Sequence, residues 1–185
     1  MRNKLIINNP MLPLIFLLIL LTSIQLYYSD TPITDMHDFR QTQTALSSFY
    51  LQKDGFRLDY ITPVMGEPWS IPFEFPLYQY ITALASNITK VDLTIVGRMI
   101  SYLFFTLSIF MVIKISELFK IKNEAIFLSF LIILNPFYLF WSSSFMIEST
   151  ALFLSLTFSY FGILLYKNKK NNYWKYILFF VFLTL

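Results

Sequence analysis

The chain has no cysteine, one histidine and four glycines among 185 residues, and only 14% of its residues are charged. Without cysteine there is no disulfide framework and no thiolate metal centre, although compartment stays open. One histidine leaves carboxylates as the remaining metal ligands, which suit Mg²⁺ or Mn²⁺ but do not demand either. No glycine-rich phosphate loop is present, so a soluble nucleotide-binding fold is not supported. What is abundant is apolar: 56% of residues are hydrophobic, with 21 Phe and 12 Tyr, and the mean hydropathy is +0.59. A soluble domain of this length cannot hide so much apolar surface, so the bilayer must cover part of it.

Long apolar runs occupy residues 11–28, 93–113, 125–141 and 145–166, and a further one starts at 176 and reaches residue 185. As helix the first spans about 27 Å, close to the hydrocarbon thickness of a bilayer. Ser23-Ile24-Gln25 is a poor cleavage site, so this run reads as an uncleaved anchor. The last run is about 15 Å of helix, half a crossing, and the chain reads as the N-terminal part of a longer protein. Asn135-Pro136 predicts a kink in the third span. The expected fold class is therefore an all-α polytopic membrane protein, with a long loop, 29–92, between the first two spans.

Charge predicts orientation. Arg2, Lys4, Lys114, Lys120, Lys122, Lys167, Lys169, Lys170 and Lys175 fall on one side if the runs are spans. The 29–92 loop holds Arg40, Lys53, Arg57 and Lys90 against eight acids. The positive-inside rule places the N-terminus in the cytoplasm and the loop outside. The basic excess is thus a topology signal, and no nucleic-acid partner is expected.

Within the loop, Ala45, Leu46, Phe49 and Tyr50 line one face of a helix over 39–50, with Gln41, Thr44 and Ser48 on another. This pattern predicts a helix in the membrane interface. Asp54-Gly55 reads as a turn, and Pro63, Pro68, Pro72 and Pro76 exclude a long helix between 62 and 76. A second amphipathic stretch, 77–89, leads back to the membrane. Arg98 lies one turn into the second span.

Three groups of ionisable residues stand out. Asp35, His37, Asp38 and Arg40 crowd the bilayer edge, where desolvation is costly. A capping box, Asp38 with Gln41 or Asp35 with Asp38, would explain one aspartate; it leaves the other acid, the histidine and the arginine to be explained. A carboxylate or imidazole here can take a proton from a hydroxyl, and Arg40 can bind a phosphate. Glu74 is held between Phe73 and Phe75 and between Pro72 and Pro76, a rigid and apolar setting. Its plain alternative is a surface acid at a helix start. Glu148 falls in the first turn of the fourth span, where an acid in an apolar run is a functional candidate and an interfacial, solvated acid is the alternative. All three groups are expected at one depth on the outer face.

These motifs resemble those of the GT-C membrane glycosyltransferases, in particular the bacterial branch similar to protein O-mannosyltransferases and the lipid A aminoarabinose transferase. The pattern His-x-x-Arg-Gln-x-x-Thr-Ala is matched by His37, Arg40, Gln41, Thr44 and Ala45. Glu-Phe-Pro-Leu-Tyr is matched by Glu74, Phe75, Pro76, Leu77 and Tyr78, and Phe-Met-x-Glu by Phe145, Met146 and Glu148. The resemblance implies inverting transfer of a sugar from a polyprenyl-phosphate donor to a hydroxyl of a glycan, lipid or protein acceptor. It places the reaction on the extracytoplasmic face of a bacterial inner membrane. An acid of the first outer loop would serve as base; relatives keep Asp three residues before the Arg, where this chain has His37, so Asp35, His37 and Asp38 all stay candidates. Glu74 and Glu148 would supply the other acids. Arg40 and Arg98 are the phosphate partners, with Gln41 and Tyr78 in the substrate-binding set. The resemblance carries no fixed metal requirement.

Two other classes fit the same composition. A lipid-linked sugar transporter or flippase would keep charge near mid-membrane, and these spans carry almost none there. A non-catalytic membrane assembly subunit is the third reading.

Overall fold

A computed structural model of the chain describes residues 11–33, 37–70 and 74–167, together with 173, 174, 176, 177 and 181. Asp35 and most of the run from 176 lie outside the described residues. Among those described, the chain forms seven α-helices and one short 3-10 turn, Pro63–Met65, and no strand.

Helix α1, Met11–Tyr28, has the bounds of the first apolar run. Helix α2, Asp38–Asp54, and helix α3, Leu77–Thr89, lie in the loop segment, α3 at its expected limits. Helix α4, Leu93–Phe119, begins where expected but runs six residues past the apolar stretch ending at 113. The extension is mixed in polarity and its charges support one another: Lys114 pairs with Glu117 one turn on at 3.0 Å, and Lys122 closes on the same carboxylate at 2.7 Å. Asp92 caps the start of α4 by accepting from Thr94 N at 2.8 Å.

The third apolar run differs from a single kinked span. It divides into α5, Lys122–Leu134, and α6, Pro136–Ser143, bent by 75°. Pro136 has no N–H to continue α5, and Asn135 Oδ1 accepts from Phe137 N at 2.9 Å, which starts α6 as a new helix. Helix α7, Glu148–Lys167, completes the described elements. Helices α1, α4 and α7 are long and apolar enough to cross a membrane, and α5 with α6 makes a fourth, broken candidate. The chain is a helical membrane protein.

Helix α4 is the central post and packs against all six others. Leu14, Leu18 and Leu21 of α1 meet Tyr102, Phe105, Ile109 and Ile113 of α4 and Ile126 and Ile133 of α5 in the main apolar core. Elsewhere the interior is rich in small hydroxyl residues, including Ser101, Ser108, Ser129, Ser149 and Thr157. Phe16, Ile19, Leu103 and Phe127 face outward. This distribution matches helices that associate in lipid through close packing of small residues.

The loop helices are inverted relative to those of a water-soluble domain. In α2 the buried side chains are Gln41, Gln43, Thr44, Ser47, Ser48 and Leu51, while Phe39 and Phe49 are exposed. In α3, Gln79, Thr82 and Ser86 are buried beside Tyr78 and Ala83, the last packed with Leu51 and Tyr60, while Leu84 and Ile88 are exposed. The polar faces meet each other: Gln52 Nε2 donates to Ser86 Oγ and to Asn87 Oδ1, both at 3.1 Å. Apolar side chains are left facing out, as an interfacial helix requires.

Candidate functional site

The site forms where the start of α2, the start of α3 and the α6–α7 corner meet. The expected capping box on α2 is absent. His37 occupies the cap position with left-handed backbone (φ 60, ψ 35) and no side-chain cap bond, and Asp38 is the first helical residue. Asp38 Oδ1 accepts from Phe39 N at 2.7 Å, and its side chain is exposed. Gln41 cannot close a box because its Oε1 accepts from Phe145 N, 2.8 Å away.

Arg40, one residue earlier, points to the other side. Its Nη2 donates to Glu74 Oε2 at 2.9 Å, and Gln79 Nε2 donates to Glu74 Oε1 at 2.7 Å. The Tyr60 hydroxyl donates to the Glu74 carbonyl at 3.1 Å. Glu74 is therefore fixed at both carboxylate oxygens and along its backbone. The ion pair is neither fully buried nor free, with 33% of Arg40 and 19% of Glu74 side-chain surface exposed. That leaves room for a ligand to contact it.

Glu148, first residue of α7, is half-buried and within electrostatic reach of Arg40, Glu74 and His37. Its Oε2 is buried without a hydrogen-bond partner, a costly state that a donating ligand would relieve. The His37 ring lies 5.1 Å from Trp141 at 31° and 6.3 Å from Phe140. The structure thus brings His37, Arg40, Glu74 and Glu148 to one corner, with exposed Asp38 at its edge. Among the described residues, no three of His, Asp and Glu gather as a metal-ligand group.

Three of the sequence-derived site residues sit inside the packing. Gln41 is completely buried. Tyr78 is 1% exposed and its hydroxyl donates to the Gly97 carbonyl at 2.9 Å. Burial raises the Tyr78 phenol above its ordinary range, against the opposing effect of the Ser101 hydroxyl beside it. Ser101 Oγ lies 3.0 Å from the Tyr78 oxygen and 3.1 Å from the Met146 carbonyl. Arg98 is 5% exposed; its guanidinium donates to the Pro32 carbonyl at 3.0 Å and to that of Ser143 at 3.5 Å. Arg98 also walls a groove of about 430 Å³ between the end of α1 and α6, lined by Leu21, Ile24, Tyr28, Leu139 and Phe140.

Sequence reasoning passed over Gln79, Trp141 and Gly97. Gln79 lies five residues after Glu74, close enough to turn back on it as a helix begins. Gly97, one of only four glycines, stands inside a span, a signal of close approach. Phe145 takes that place: a Cβ added at Gly97 would meet its ring at 2.2 Å. The fold and the corner together define a helical membrane protein with acids and an arginine converging at one end of its spans. No protein-family model, characterised protein or solved structure matches the chain.

Proposed function

We propose that the protein is a membrane glycosyltransferase of the GT-C type, moving a sugar from a polyprenyl-phosphate donor to a hydroxyl acceptor at the 29–92 side of the membrane. The observation that carries this reading is the convergence of Arg40, Glu74, Glu148 and His37 at one corner. A hydroxyl nucleophile needs a base, a phosphate leaving group needs a cation, and an oxocarbenium-like centre needs negative charge nearby. The corner holds each type of group.

In the proposed reaction the acceptor oxygen bonds to the anomeric carbon as the bond from that carbon to phosphate oxygen breaks. The acceptor proton passes to a carboxylate or to His37, and the polyprenyl phosphate leaves. Glu148 Oε2, buried and unpartnered, suits the hydroxyl proton. Arg40 meets the phosphate while Gln79 keeps its hold on Glu74. The rings of Phe140 and Trp141 offer apolar faces to a sugar, and the groove beside α1 has space for part of a prenyl chain. The reading places this end of the spans on the extracytoplasmic face of a bacterial inner membrane, with the acceptor a glycan, lipid or protein.

The test is transfer from a polyprenyl-linked sugar in membranes containing the protein or its variants D35A, H37A, D38A, E74A and E148A. We expect E74A and E148A to lose at least about tenfold, the low side of general acid–base contributions. Wild-type rates in all five variants would refute the site. Passage of lipid-linked sugar across vesicles without transfer would refute the reaction.

A further inference from the structure

We propose that Gln41 is a positioning residue that holds Glu148 in register with Glu74. The two carboxylates come from segments 74 residues apart in the chain, by their numbers, and α2 touches both through adjacent side chains. Arg40 bonds Glu74 at 2.9 Å. Gln41 bonds the backbone N–H of Phe145, three residues before Glu148, at 2.8 Å. The segment between α6 and α7 is otherwise seated on α4 and on the start of α3. The Phe145 ring fits against Gly97 and edge-on to Tyr78 (5.8 Å, 87°), and Ser101 reaches the Met146 carbonyl. Those contacts fix the segment relative to α4 and, through the Tyr78 ring alone, to the start of α3. The Gln41 bond ties it directly to α2, the helix that also holds Glu74.

The bond is well placed to act as a strut. Gln41 is completely buried and so is Phe145, so no water competes for the N–H, and losing the acceptor would orphan a buried donor. Reaction geometry is sensitive at this scale: a displacement of about 1 Å can cost about a hundredfold in rate. The carbonyl of Gln41 sets the distance between the carboxylates without itself touching a reactant. The kinetic part of this proposal rests on the glycosyltransferase reading, and the distance part does not.

Two variants separate the strut from simple packing. Gln41→Leu keeps most of the bulk and removes the acceptor. Gln41→Glu keeps an acceptor, and burial keeps the acid protonated so that it retains a donor as well. The native chain has no cysteine, so spin labels on Thr42→Cys and Leu152→Cys, both exposed positions of α2 and α7, report the spacing of the two helices alone. In the full-length protein we expect Gln41→Leu to broaden or shift that distance distribution and Gln41→Glu to restore it. For transfer from a polyprenyl-linked sugar, kcat should fall about 10- to 100-fold in Gln41→Leu with donor KM within about twofold of wild type, and Gln41→Glu should recover most of the loss. An unchanged distance distribution in Gln41→Leu overturns the strut, as does a broadened distribution with wild-type kcat. A wild-type protein that transfers no sugar defeats the glycosyltransferase reading, and the distance measurement still decides the strut.

Discussion

Gly97→Ala is the sharpest test of the packing that supports the site. In an ordinary exposed helix the change stabilises by about 1 kcal/mol, because glycine is the poorer helix former. At Gly97 the new Cβ would sit 2.2, 2.4 and 2.6 Å from three atoms of the Phe145 ring. Carbon atoms rest at about 3.5–4.0 Å, so the ring must retreat by about 1.5 Å. It has little room, being fully buried and set edge-on against Tyr78. Overpacking of this kind costs about 1–3 kcal/mol, and the rigid ring places it at the upper end. The net expectation is a loss of about 1–2 kcal/mol, or a fall in Tm of about 2–8 °C for a chain of this size. Gly162→Ala is the internal control, because nothing lies within 4 Å of a Cβ there; it should be neutral or slightly stabilising. Thermal unfolding in detergent, followed by circular dichroism, reads both. Equal Tm values for the two variants would refute the close approach of α4 to Phe145.

Two further outcomes follow from the same structure. Burial raises the Tyr78 phenol in the folded protein, so above about pH 10 the unfolded state ionises first and stability falls as pH rises; Tyr78→Phe should flatten part of that slope while lowering stability at neutral pH through the lost bond to Gly97. With Trp69, Trp141 and Trp174 changed to Phe, a single tryptophan at Phe49 or Ile88 should be quenched by brominated acyl chains, since both positions face outward; quenching by aqueous iodide instead would reject the interfacial placement of α2 and α3.

Much of the helical framework was legible in the sequence because hydropathy and periodicity act locally. Helices α1 and α3 match their expected limits, since a tyrosine followed by Ser29 ends one and prolines precede the other. Helix α4 outran its apolar run because Lys114, Glu117 and Lys122 satisfy one another at the surface. The break at Asn135–Pro136 was readable as a kink; its 75° bend was not, because that depends on Asn135 capping α6. At the site, the residue types were visible and their partners were not. Gln41 resembles a substrate ligand or a cap residue in sequence, yet its bond runs to an N–H 104 residues away. No local pattern announces such a pairing. Likewise the periodicity of α2 and α3 marked two faces, and only their packing on each other and on α4 decided which one turns inward.

The unequal lengths of α4 and α7 carry a consequence for the surrounding bilayer. Helix α4 has 27 residues and α7 has 20, so α4 is about 40 Å long and α7 about 30 Å. They are held together near both ends, by Lys167 on the Leu118 carbonyl and by Phe145 on Gly97. The surplus turn of α4 therefore stands above α7 and carries α3 with it, and a hydrocarbon layer about 30 Å thick that matched the length of α7 would have its edge at Glu148. Thickening the bilayer would submerge that carboxylate in acyl chains, and thinning it would leave it in water. Hydrophobic mismatch thus becomes an electrostatic variable for this corner, set by the lipids and felt through two helices of fixed span.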